Sequence, residues 1–149
     1  YLAIISPPPS KNEKYITSNI EKSSFSNVRK MTTSDIKGKF AKTYMKILVK
    51  SSKYALALLY PITGRTHQLR VHMNYIGCSI IGDKKYKFNE NFRDNENFLK
   101  LHSYVIKFPN QDFVKATLPE HFINFMKENK LDINLEKIEK NFEKEFKYE

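Results

Sequence analysis

A single cysteine stands in the 149 residues, and its isolation closes off two classes of protein. A disulfide framework needs pairs of cysteines, and a cysteine-built metal site needs several thiolates. Cys78, in an apolar setting, reads as a small buried residue rather than a nucleophile. No apolar run approaches the ~18 residues that a membrane-spanning helix requires. Acidic side chains are also short in supply: Asp and Glu number 16 against 26 Lys and Arg, a net charge of +10. A surplus of that sign favours a polyanionic partner and by itself leaves RNA, DNA and an anionic membrane surface open. The length suits one domain or most of one. Because the chain begins at Tyr1 rather than at a methionine, the expectation is a fragment or a processed protein.

What is present reads as short strands followed by helices. Tyr1-Leu2-Ala3-Ile4-Ile5 is an apolar strand that runs into Pro7-Pro8-Pro9, a stiff extended loop. Residues 11–40 are polar, with Ile16, Ile20 and Val28 placed to pin short strands, Met31-Thr32-Thr33 as another, and a turn at 34–39. Lysines and Arg29 in this stretch are candidate phosphate contacts, although most charge runs are solvated faces. Residues 41–50 alternate as a strand with one covered face. Residues 53–60 form its hairpin partner, apolar enough to be buried on both sides. Further on, 78–81, 101–109 and 112–116 read as strands. A helix then starts with Pro119 at its first position and Phe122, Phe125 and Met126 on its apolar face. Leu135, Ile138, Phe142 and Phe146 have the spacing of a last helix.

The stretch with most chemical content is Pro61 to Met73. An apolar strand ends there, the chain turns across Pro61 to Gly64, and Leu69, His72, Met73 and Ile76 mark one face of a helix. Thr66 is placed to cap that helix and Gly77 to close it in the left-handed conformation. Its first turn gathers Arg65, His67, Gln68 and Arg70, strong donors beside the positive end of a helix and suited to an anion or a carboxylate. Taken singly, such arginines and glutamines are ordinary solvated residues, and His67 and His72 fit core or surface positions equally well. The whole pattern carries more information: Gly64-Arg65-Thr66-His67-Gln68-Leu69-Arg70, His72, then Gly77 and Ile80-Ile81-Gly82-Asp83 with Tyr86.

That block resembles the RluA-type pseudouridine synthases, and the resemblance runs from residue 1 to about 126. Tyr1-Leu2-Ala3 is similar to the family's Tyr-x-Ala strand, Leu101-His102-Ser103 to its Leu-His-Ala, and Leu118-Pro119-Glu120-His121-Phe122 to its Leu-Pro-x-x-Phe. It implies an α+β pseudouridine synthase fold, a mixed and largely antiparallel sheet flanked by helices, with the N-terminal part missing. Residues 1–130 would be a partial catalytic domain and 131–149 a helical tail. The implied activity is isomerisation of uridine to pseudouridine in rRNA or tRNA, without cofactor or metal. The implied partner is RNA and not a membrane, and the chain is expected to be a monomer.

The resemblance further implies that Arg70 forms an ion pair with a nucleophilic aspartate in an Arg-Leu-Asp segment, which is not in this chain. Leu69 would pack on the uracil, and Tyr1 would remove a proton late in the reaction. Arg65, Thr66, His67 and Gln68 are the other candidates for substrate contact. Asp83 matches a residue that closes a turn. The 149 residues alone are expected to be inactive. Two other readings stand beside this one: a non-catalytic RNA-binding remnant of the fold, and an unrelated basic interaction domain.

Overall fold

A computed structural model describes residues 1–23, 30–89 and 91–140. Val28, Arg29, Phe142 and Phe146 lie outside them. The centre of the molecule is a pair of strands with no polar face. β1 (Leu2–Ser6) is buried throughout, and β5 (Ala55–Pro61) is buried from Ala55 to Leu59. They run antiparallel with Leu2 opposite Leu58 and Ile5 opposite Ala55. β4 (Lys39–Lys50) pairs with the other edge of β5, and β2 (Glu13–Lys22) with β4. β3 (Met31–Ser34) completes that side. The free edge of β1 is shared by two short strands, β6 (Ser79–Ile80) at Ile5 and Ser6 and β7 (Leu101–His102) at Leu2 and Ala3. The order is β3-β2-β4-β5-β1-β6, with β7 beside β1. Among the described residues every pairing is antiparallel.

Strand alternation sends consecutive side chains to opposite faces, and each face is covered by a different helix. Leu2, Ile4, Leu56 and Leu58 meet Phe122, Phe125 and Met126 of α2 (Glu120–Glu128). Ala3, Ile5, Ala55, Ala57 and Leu59 meet Leu69 and Met73 of α1 (Gln68–Tyr75). Each large side chain buried in this way contributes about 1.5–3 kcal/mol of transfer free energy. Leu131 is fully buried against the α2 cluster, and Leu135 and Ile138 of α3 (Leu135–Glu139) pack on it.

Three local expectations are corrected. The 11–22 region holds one ten-residue strand rather than short ones, because β2 stays in register with β4 from Glu13 opposite Lys46 to Ile20 opposite Lys39. Residues 101–109 are two strands rather than one. Leu101–His102 pairs with β1, whereas β8 (Val105–Lys107) pairs with β9 (Phe113–Lys115) in a separate ribbon. The break comes at Tyr104, whose ring is buried in the α2 cluster and whose carbonyl accepts from Ala116 N. Pro119 is the N-cap of α2 rather than its first helical residue: its ψ of 147° is extended, and its carbonyl accepts from Phe122 N and Ile123 N. No described helix is long and apolar enough to cross a membrane.

Candidate active-site cleft

Where β5 ends, a glutamine organises the turn. The Gln68 carbonyl oxygen accepts from Thr63 Oγ1 at 2.6 Å and from Arg65 N at 3.0 Å. Its amide nitrogen donates to the Lys42 carbonyl and to Thr43 Oγ1, both at 2.9 Å. The side chain is buried, so these four bonds satisfy both of its acceptor positions and both of its donors. Thr63 Oγ1 in turn accepts from Lys42 N at 2.9 Å, which ties the turn to β4.

The helix begins in an unexpected way. Thr66 is exposed and does not cap it; the N-cap is His67, at φ 55° and with no side-chain cap bond. A left-handed histidine costs of order 1 kcal/mol, which the surrounding hydrogen bonds must offset. The conformation is over-determined here: Gln68 grips the turn before it, and His67 Nδ1 lies 2.8 Å from the Tyr86 hydroxyl. At the other end Gly77 is left-handed, as expected. Its N–H reaches the Asn74 carbonyl while Cys78 N reaches that of Met73, the paired bonds of a Schellman turn.

Arg70 has a partner within the chain. Its Nε and Nη2 donate to Asp83 Oδ2 and Oδ1, each at 2.8 Å, in a bidentate pair. The Asp83 side chain is fully buried and that of Arg70 is 20% exposed. Asp83 Oδ1 also accepts the backbone N–H groups of Lys85 and Tyr86, so the carboxylate does close a turn, and it holds the guanidinium as well. Burial alone would raise its pKa, but the bonds from Arg70 and the two amides outweigh that and hold it below the usual carboxylate range. The same hydrogen bond raises the pKa of the guanidinium. The Tyr86 ring lies 4.9 Å from the guanidinium carbon, a stacked third side. Gly82 is required just before: a Cβ there would stand 2.2 Å from the Phe98 carbonyl oxygen.

These residues edge a cleft of about 320 Å³, lined by Tyr1, Pro61, Gly64, Arg65, His67, Gln68, Leu69, Arg70 and Leu101. Tyr1, Arg65, His67, Leu69 and Arg70 thus meet at one opening. Gln68 also borders it, but its amide bonds are all made inside the protein. Thr66 lies apart from it. Arg65 Nε donates to the Phe40 carbonyl at 2.8 Å, which draws its stem along the start of β4. Leu101 was not anticipated as a wall of the site; it arrives because β7 pairs with β1 beside Tyr1. Tyr86 and the tie between Asp83 and Arg70 were also missed as parts of the site, although all three residues belong to the same sequence block.

The two histidines of the motif separate. His67 is exposed at the cleft, its pKa lowered by local burial and then by the charges of Arg70 and Lys85. His72 is fully buried between Thr43 Oγ1 at 2.8 Å and Ser18 Oγ at 3.0 Å, and burial lowers its pKa to about 4. It is neutral at pH 7 and belongs to the core.

An antiparallel sheet with helices on both faces, and an arginine cleft at the end of its central strands, is the pseudouridine synthase fold. Two solved human proteins share it: RNA Pseudouridylate Synthase Domain Containing 1 (TM-score 0.73, 23% identity, 93% of this chain and 62% of that one) and Domain Containing 4 (TM-score 0.70, 24% identity, 89% and 62%). A family model described as RNA pseudouridylate synthase matches residues 1–75, and the chain belongs to that family, in its RluA branch. It is 37% identical over 128 residues to ribosomal large subunit pseudouridine synthase C of Rickettsia bellii, covering 82% of this chain and 42% of that protein. It is 34% identical over 120 residues to ribosomal large subunit pseudouridine synthase D of Borreliella burgdorferi, covering 75% and 36%. The chain thus spans well under half the length of these relatives.

Proposed function

We propose that these residues form the base-binding side of the catalytic centre of an RNA pseudouridine synthase, acting on uridine in rRNA or tRNA. The names of the two bacterial relatives favour RNA of the large ribosomal subunit. The observation that carries this reading is Arg70 itself: a guanidinium anchored by a buried carboxylate at the wall of a cleft whose neighbouring surfaces, Leu69 and Leu101, are apolar.

Asp83 occupies two of the five N–H donors of Arg70 and leaves three for a second acid. That acid is the nucleophilic aspartate of the Arg-Leu-Asp segment that the resemblance implies; no such triplet occurs in the 149 residues. A carboxylate beside a base pocket is partly desolvated and needs a cation to stay ionised. A guanidinium supplies planar paired donors and does not deprotonate, so it also aims the carboxylate. Asp83 has already set the guanidinium's orientation, and the nucleophile meets a preorganised partner.

Leu69 packs against one face of the uracil. The glycosidic C–N bond breaks, the ring turns, and a C–C bond forms between the base and the ribose. Tyr1, 39% exposed at the cleft, then removes the proton from the carbon that has joined the sugar. Reaching the base costs a few kcal/mol of unstacking, which phosphate contacts from Arg65, His67 and the basic surface offset. Gln68 positions the turn and Thr66 has no part in the cleft.

The test is pseudouridine formation by the full-length protein on large-subunit RNA. Arg70→Ala and Arg70→Lys should each lower turnover by a factor of about 100 or more while the fold persists. Turnover at the wild-type rate by Arg70→Ala rejects the role, as does activity from the 149 residues alone. RNA binding by the full-length protein with no isomerisation at any uridine transfers the case to the non-catalytic remnant.

A further inference from the structure

Two of the polar residues that line the cleft, Arg70 and His67, are held from behind by the same buried side chain. Tyr86 is 3% exposed and packs with Ile20, Ala41 and Val71. Its ring centre lies 4.9 Å from the Arg70 guanidinium carbon. Its hydroxyl lies 2.8 Å from His67 Nδ1 and accepts from Met31 N at 3.0 Å. Its own N–H donates to Asp83 Oδ1, the oxygen that also holds Arg70 Nη2. Ring, hydroxyl and backbone of one residue thus reach three members of the site.

The hydroxyl has one proton to give, and counting donors decides where it goes. Met31 N–H already occupies one acceptor position of the oxygen. If the hydroxyl donates to His67 Nδ1, every group in the chain is satisfied and the imidazole carries its proton on Nε2. The opposite tautomer, with Nδ1–H donating, leaves the buried hydroxyl proton without an acceptor among the described residues, which costs its desolvation. The network therefore selects the Nε2–H tautomer. With Nδ1 held against Tyr86, Nε2–H is the donor that exposed His67 can offer at the cleft. The ring is fixed further by a left-handed backbone, φ 55°, and by an edge contact with Tyr86 at 5.5 Å and 71°. A strained backbone under a locked, exposed side chain points to a ligand.

We infer that Tyr86 is a positioning residue for both walls: its ring sets the Arg70 guanidinium, and its hydroxyl fixes His67 as a neutral donor whose Nε2–H takes a phosphate oxygen of the RNA beside the target uridine. The base goes to the buried Leu69, whereas His67 stands at the exposed rim, where the sugar–phosphate chain passes. The surroundings suit an anion. Lys30 and Lys85 Nζ lie 5.8 and 5.9 Å from the Tyr86 ring centre, near Arg70, and the acid of the cluster, Asp83, is buried and bonded by Arg70 and two amides. Burial and the charges of Arg70 and Lys85 outweigh Asp83 and lower the His67 pKa, which keeps the ring neutral at pH 7. This inference rests on the reading of the chain as part of an RNA-modifying enzyme, and it says how two residues of that site are held.

The experiment uses full-length protein with isotope-labelled histidine for nitrogen NMR, a fluorescently labelled oligouridine of about 12 nucleotides in an anisotropy titration, and steady-state pseudouridine formation. At neutral pH His67 should show a protonated Nε2 and an unprotonated Nδ1. Tyr86→Phe keeps the ring and removes the hydroxyl. It should move both nitrogen signals toward the tautomer average and raise KM for RNA by roughly 2- to 12-fold, with a smaller loss in kcat. Tyr86→Leu removes the ring as well and should lower kcat by a further factor of roughly 2 to 30. His67→Asn tolerates the left-handed backbone, and adding Tyr86→Phe to it should raise KM no further. A neutral donor releases no counterion, so His67→Asn should keep the slope of log affinity against log salt, whereas Arg65→Gln should reduce it by about 1.

Averaged tautomers in the unaltered protein overturn the inference. So does an additive rise in KM in the double variant, or a salt slope reduced by about 1 in His67→Asn, the mark of an imidazolium. An affinity loss in His67→Asn seen with oligouridine and not with oligocytidine assigns the contact to the base and overturns the phosphate contact. If Tyr86→Leu does not fold, Tyr86→Phe and the double variant still decide the matter. The two readings separate. A fixed tautomer and hydroxyl-dependent oligonucleotide binding, in a protein that never isomerises uridine, keep the inference and remove the enzyme. Isomerisation with additive effects of Tyr86→Phe and His67→Asn keeps the enzyme and removes the inference.

Discussion

The two faces of the central sheet are held by different physics. On the α2 side the contact is hydrocarbon: Leu2, Ile4, Leu56 and Leu58 against Phe122, Phe125 and Met126. On the α1 side, apolar residues share the interface with a polar layer in which Gln68 and His72 both bond Thr43, and His72 also meets Ser18. Apolar packing is strong but tolerates small slides, because hydrophobic attraction is not directional. A buried hydrogen-bond network tolerates little, because each polar group left unpaired costs its desolvation. The cleft lies on the polar side. That placement makes sense: the α2 side supplies cohesion, and the α1 side sets the register of the turn that carries Arg65, His67 and Arg70.

Substitutions on the two sides should therefore fail in different ways. The largest loss of stability is expected from Phe122→Ala, which leaves a cavity in the apolar cluster. About 3–5 kcal/mol should disappear from the urea unfolding free energy, while whatever protein remains folded keeps its turnover. A loss below about 1 kcal/mol would show that the helix is not what holds that face.

On the polar side, His72 should make stability depend on pH. Its folded pKa is about 4 and its unfolded value about 6.5. Between those values the unfolded chain binds more protons, so stability falls as pH drops from about 6.5 toward 4 and then levels, by up to roughly 3 kcal/mol. His72→Gln should flatten that part of the curve of urea midpoint against pH; an unchanged slope would assign the dependence to another group.

The smallest effect on stability is expected from Asp83→Asn, about 2 kcal/mol, since Arg70 keeps some access to water. Its signature lies in function: turnover should fall more than RNA binding, because the guanidinium loses its anchor and not its charge. The pH sense follows from the lowered carboxyl pKa. The pair's stabilisation is present above about pH 4 and is lost as pH falls through the folded value, and this acid limb should be absent in Asp83→Asn. Turnover equal to the unaltered protein's would show that the anchor has no part in the reaction.

Much of the architecture was legible beforehand because strand and helix periods are local. The buried β5, the apolar face of α2 and the left-handed Gly77 all follow from near neighbours. The departures from the local reading come where a distant partner decides the outcome. Gln68 is expected as a substrate contact from its charged neighbours; it does border the cleft, but its amide nitrogen is committed to Lys42 and Thr43, 26 and 25 residues away on β4. Thr66 has the chemistry of a cap, yet His67 takes the position because Tyr86, 19 residues on, holds its ring. The strand expected across 101–109 broke because Tyr104 found a core that its immediate neighbours do not reveal.

The amino-acid order by itself determined the family, the strand that feeds the turn, and the identity of the cationic residue, because these are carried by a continuous block from Gly64 to Tyr86. Only the folded chain decided that Asp83 would grip Arg70 from 13 residues away, that Gln68 would turn inward, and that Tyr15 and Phe40 would share an open face. The physical reason is that bidentate pairing, hydrogen-bond satisfaction and strand register depend on which backbones lie side by side, and residue identity alone does not specify that.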